Sequence, residues 1–166
     1  MAIMNNRMKI IIVITFLLIG TPIMYALHYL FTLNDDPLLS AIHRNDTVAV
    51  MNLINADPGI VNRRLSNGAT PLHYACSYSN TAAIPVLIEA GANINAKWNG
   101  KNGSIMDGAT PLHIACGKGD IWTVKYLTGK GADETITNSQ GQLPLDQAIK
   151  NNRKEVVEYL QSRTSK

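Results

Sequence analysis

His73 and Cys76 reappear as His113 and Cys116, and these four side chains are the most chemically capable in the chain. An imidazole can serve as general base or metal ligand, and a thiolate as nucleophile or metal ligand. Either use needs partners at motif spacing. Neither cysteine has a second cysteine or a charged neighbour at such a distance, and His28 and His43 stand without ligand partners. No H-E-x-x-H, phosphate loop, G-x-S-x-G or C-x-x-C pattern occurs. The expectation is a chain that is not an enzyme, with no metal and no cofactor. The contrasting class is a hydrolase or redox enzyme using Cys76 or Cys116.

The elements that carry these residues explain them better. Thr70-Pro71-Leu72-His73-Tyr74-Ala75 recurs as Thr110-Pro111-Leu112-His113-Ile114-Ala115, with a degenerate copy at Leu143-Pro144-Leu145-Asp146-Gln147-Ala148. Threonine is placed as a helix cap, its oxygen available to an orphan N–H, and proline takes the first helical position, where a missing N–H costs nothing. Three residues past the cap, His73 and His113 can bond back to the threonine as a capping-box acid would. Thr70, His73, Thr110 and His113 are therefore structural caps. A second apolar stretch follows each full copy, Ala82 to Ile88 and Ile121 to Leu127, and the glycines behind them, Gly91 and Gly131, suit the left-handed residue past a helix end. Equivalent points on stacked helices lie about 8 to 10 Å apart, beyond the roughly 7 Å that disulfide Cα atoms tolerate. Cys76 and Cys116 should be free, buried thiols.

The two complete T-P-L-H-x-A motifs resemble the ankyrin repeat, a likeness that covers most of residues 34–163. It implies an all-α solenoid of about four helix-turn-helix units with β-turn fingers; the apolar N-terminal run adds one transmembrane or signal helix ahead of them. Pro37, Pro71, Pro111 and Pro144 share one position at intervals of 34, 40 and 33 residues, giving repeats of about 34–66, 67–106, 107–139 and 140–166. The first unit opens on Asp36 and places Leu38, Ala41, Val50, Leu53 and Ile54 in the core. The last replaces threonine by Leu143 and histidine by Asp146, and closes on a helix from Arg153 to Arg163 with Val156, Val157 and Leu160 inside. Terminal repeats diverge in this way. Pro85, about a turn inside its helix, should remove a hydrogen bond and bend it.

Ahead of the repeats stand a basic segment, residues 1–9, and an uncharged apolar run, residues 10–33, long enough to cross a bilayer. The A-x-A-like small-residue site of a cleavable signal is missing, which favours a retained anchor; Pro22 could still close a signal core, which would release the repeats to the periplasm. Arg7 and Lys9 on one flank and Asp35 and Asp36 on the other place the N-terminus in the cytoplasm. The repeats, residues 34–166, then face the periplasm or the cell exterior.

Without Arg7 and Lys9 the chain has 13 basic residues against 12 acidic ones, which is no footprint for nucleic acid. Binding of another protein remains. The interval of 40 lengthens one turn into a finger, Lys97 to Asp107, that offers Trp98, Asn99, Met106 and Asp107; the alternative is a tolerated insertion with Trp98 folded onto the neighbouring turn. The family resemblance adds a concave face: Asn67, Ala69, Ser77 and Tyr78, then Asp107, Ala109, Gly117 and Lys118, then Gln140, Gln142, Lys150 and Asn151. Tyr78 and Lys118 stand out as anchors, and Trp122 occupies a usually polar second-helix place. The resulting expectation is a membrane-anchored, exported module that binds a partner by this face and the finger. One version is an immunity protein covering a toxin's active site. The alternative is a periplasmic partner or chaperone of a resident enzyme.

Overall fold

Proline opens every first helix, α1 (Pro37–His43), α3 (Pro71–Ser77), α5 (Pro111–Lys118) and α7 (Pro144–Lys150). Each is followed by a second helix, α2 (Thr47–Ala56), α4 (Ala83–Glu89), α6 (Ile121–Gly129) or α8 (Lys154–Thr164), and a 3-10 turn (Pro58–Asn62) follows α2. The computed structural model describes residues 36–79, 82–100 and 106–164. The apolar run at 10–33 and the finger's tip at 101–105 lie outside them. Among the described residues no helix is long and apolar enough to cross a membrane.

The two helices of each repeat meet through a left-handed residue eight positions past the proline: Asn45, Ser79, Gly119 and Asn152. Past α4 and α6, Gly91 (φ 88) and Gly131 (φ 90) turn the chain back as expected. There the N–H of Ala92 donates to the carbonyl of Leu87 at 2.9 Å, and that of Ala132 to Leu127 at 2.9 Å, the six-to-one bond that satisfies a helix's last carbonyls.

Helices α3, α5 and α7 lie side by side as one layer, while α2 packs on α4 and α6 on α8 behind them. Ala75, Ala115 and Ala148, fully buried at one repeated position, let the first helices approach. Leu72, Leu112, Ile84, Leu87, Val124 and Leu127, all at 0 % exposure, fill the space between layers; each such side chain contributes about 1.5 to 3 kcal/mol on burial. A second line of stacking runs along the turns. Asn62 donates from Nδ2 to the Gly91 carbonyl at 2.9 Å and accepts the Asn93 N–H at 2.8 Å, and Asn95 accepts the Asp133 N–H at 2.9 Å.

Three local expectations need correction. Pro85 is the third residue of α4, which starts at Ala83, so its missing N–H is one that a first turn leaves unpaired anyway. Leu53 and Val157 are half-buried rather than core. The threonine hydroxyls meet the histidine rings: Thr70 Oγ1 lies 2.8 Å from His73 Nδ1 and Thr110 Oγ1 lies 2.9 Å from His113 Nδ1.

Candidate functional site

The histidines come first, because their geometry decides whether they are available. The N–H of Thr70 donates to His73 Nδ1 at 3.2 Å, so this nitrogen carries no proton; Nε2–H then donates to the carbonyl of Ala109, in the next repeat, at 3.0 Å. His113 repeats the arrangement, with Nδ1 accepting from Thr110 N–H at 3.1 Å and Nε2–H donating to Gln142 at 3.0 Å. Both rings are buried, and burial lowers their pKa, to about 4 at His73. Each histidine is thus a neutral strut between repeats, with both nitrogens occupied. Asp146 keeps only the first half of this role, accepting the Leu143 N–H at 2.8 Å.

The thiols are no more available. Cys76 and Cys116 are free and buried, and burial raises both pKa values, to about 12 at Cys116. A thiol held protonated is a poor nucleophile. Among the described residues no cluster of His, Cys, Asp and Glu could hold a metal ion.

The finger residues divide between fold and surface. Trp98 exchanges both backbone bonds with the turn of the following repeat, donating to Ala109 at 2.7 Å and accepting from Gly108 at 2.8 Å. Its indole N–H donates to Asn67 at 2.8 Å, and its ring stands edge-on to His73 at 5.5 Å. This is the folded-down arrangement. Asn99 is exposed but donates its N–H to Gly68 at 3.1 Å. Asp107 accepts from Gly100 N–H at 3.0 Å and from the Ser139 hydroxyl at 2.7 Å. In the next repeat Asn138 occupies the place of Trp98, its N–H donating to Gln142 at 2.9 Å, so the extra residues enter after Asn99 and leave the base of the turn intact.

Other expected contacts remain at the surface. Met106 is 39 % exposed and Lys118 is exposed. They share a groove of about 460 Å³ that also takes in Ser77, Ala109, Gly117, Gln140, Lys150 and Asn151 from three successive repeats. Tyr78, at the end of α3, is half-buried between His43, 4.9 Å away edge-on, and Tyr74, 4.8 Å away. Trp122 is 43 % exposed on α6, stacked on Tyr126 at 5.1 Å with rings 6° from parallel. It does not line the groove, so the residues singled out from sequence do not converge on one place.

Two features of the site carried no sequence signal. Arg153 reaches back to the Gly117 carbonyl at 3.1 Å, a contact between positions 36 residues apart. An amide chain sets the groove's wall: Gln147 Nε2 donates to Gln142 Oε1 at 2.7 Å, and Asn138 Nδ2 to the same oxygen at 3.2 Å. The inter-repeat half of the histidine role did leave a trace, the change from histidine to Asp146 where no following repeat is described.

Comparison with known proteins agrees with this architecture. The family of ankyrin repeats (three copies) matches residues 1–98 and 96–166. A stretch of 60 residues is 38% identical to serine/threonine-protein kinase VIK of Arabidopsis thaliana, covering 36% of this chain and 14% of the kinase. Over 64 residues the chain is 36% identical to ankyrin repeat domain-containing protein 35 of Homo sapiens, covering 39% of this chain and 6% of that protein. An ankyrin repeat protein of fowlpox virus is 35% identical over 65 residues, 39% of this chain and 13% of its own length. The likeness therefore spans less than a sixth of each relative.

Proposed function

The chain belongs to the ankyrin-repeat family, and on that premise we propose that it is a non-catalytic adaptor, anchored in a membrane by residues 10–33, that seats a protein partner in the groove across α3, α5 and α7. One observation carries the reading. The groove gathers exposed ends of three successive first helices, whose side chains at Lys118 and Lys150 make no ion pair among the described residues, while the reactive types nearby are committed to the fold. Ankyrin repeats suggest a protein-binding module, and the lining of the groove favours this face for it.

Capture of a partner by the tagged full chain in mild detergent tests the reading. The partner should be lost on Met106→Glu and retained on Trp122→Ala. Membrane placement rests on the uncharged run from Ile10 to Leu33 and is tested by fractionation: the chain should stay with membranes after alkaline washing, and its release would sink the anchor. Within this reading the chain is an immunity protein, in which case deletion of its gene should sensitise cells to their siblings, and unchanged survival would remove that version. A resident periplasmic enzyme co-purifying with the chain would replace it by the chaperone alternative.

A further inference from the structure

Resting on the groove as the binding site, we infer that its occupant is an acidic segment of the protein partner, with carboxylates on Lys118 and Lys150 and an apolar side chain over Met106 and Ile114. The charge pattern points there. The last position shared by the first helices and the one after it are His43 and Arg44, Ser77 and Tyr78, Gly117 and Lys118, and Lys150 and Asn151, which supply three permanent cations and no acid. Arg153 adds a fourth, laid across Gly119 with its Nε on the Gly117 carbonyl. The acids close to the groove in sequence are engaged elsewhere, Asp107 with Gly100 and Ser139, Asp120 with Thr123, and Asp146 with Leu143.

The hydrogen-bonding inventory agrees. One N–H each of Asn138, Gln147 and Asn151 is used within the chain, on Gln142 Oε1 and the Gln147 carbonyl. Beside the exposed amides of Gln140 and Asn151, which can donate and accept, the groove presents two ammonium groups, which donate and cannot accept. A partner must bring acceptors, and a carboxylate brings charge as well. Lys118 and Lys150 also end their helices, where a cation is favoured by the helix dipole; binding and stability separate these two roles.

The experiment is a selection of random phage-displayed peptides on the full chain, followed by titration of one selected peptide. Aspartate and glutamate should be enriched beside an aliphatic residue. The doubly substituted Lys118→Gln, Lys150→Gln chain should bind the peptide roughly tenfold more weakly, as loss of two exposed charge pairs implies, with a melting temperature lowered by no more than a few degrees from the lost helix-end cations and a similar loss of binding in high salt. Neutral or basic peptides that are lost on Met106→Glu but bind the double variant normally would overturn the acidic occupant and leave the groove standing. Peptides indifferent to Met106→Glu, or none at all, would overturn the groove and this inference together. Displacement of the acidic peptide by an oligonucleotide at lower concentration than by free peptide would overturn it in favour of nucleic acid.

Discussion

A methyl group added at Gly68 would overlap the backbone carbonyl of Asn99, and one at Gly108 would fall 2.6 Å from the nitrogen of Ser139; at Gly141, the same position in the last described repeat, it would meet nothing within 4 Å. The three glycines share a left-handed conformation, with φ of 87, 73 and 73. Only the first two have the turn at the end of their own repeat, which leads into the next, lying against them. His73 and His113 differ from Asp146 along the same line, since the histidines reach into the following repeat and the aspartate caps its own helix alone. The contrast separates what a turn demands from what stacking demands. It also explains why the most eye-catching motif carries no chemistry: its reactive groups are consumed by the contact between repeats.

Substitution breaks this comparison most sharply at the glycines. Gly68→Ala should cost more than about 3 kcal/mol, combining a left-handed side chain with overlap of backbone, while Gly141→Ala should cost only about 1 to 2 kcal/mol from the conformation itself. Chemical denaturation of both variants measures the gap, and equal losses would mean that the neighbouring turn exerts no constraint.

Acid gives the next largest effect. His73 titrates near 4 in the folded chain against about 6.5 unfolded. Because its folded pKa is depressed, the unfolded chain binds more protons between these values. Stability is therefore fully present above about pH 6.5 and falls as the pH drops toward 4, by on the order of 3 kcal/mol for this one group. His113 shifts in the same direction and steepens the fall. Denaturation midpoints measured across this range should decline, and a flat profile would contradict neutral struts.

How much of this was readable beforehand depends on how local each constraint is. The turn glycines Gly91 and Gly131 and the buried thiols are set by residues within a turn of one another, and they stand as expected. Pro85 was misjudged because the start of α4 depends on chain geometry that composition does not show. Trp98 left both outcomes open in the sequence, since only its distance to Asn67 and His73, 31 and 25 residues earlier, decides where an indole goes. Arg153 against Gly117 is of the same kind.

Smaller effects sharpen the comparison at the terminal repeat. Asp146→Ala removes one cap and should cost about 1 kcal/mol, less than His73→Ala, which also abandons a buried carbonyl at Ala109 and should cost about 2 to 3 kcal/mol. Thermal melts of the pair check the order. Smallest of all, Ser79→Gly should stabilise by up to about 1 kcal/mol, because Ser79 holds φ 54 where the next repeat has Gly119. A loss of stability there would mean that its side chain matters more than its backbone.

The central claim, that the groove across α3, α5 and α7 binds while the motif residues hold the stack, is tested most directly by hydrogen exchange of the full chain with and without its captured partner. Added protection should appear at the C-terminal ends of α5 and α7 and around Met106. Protection confined to α6 around Trp122, with those ends unchanged, would contradict it.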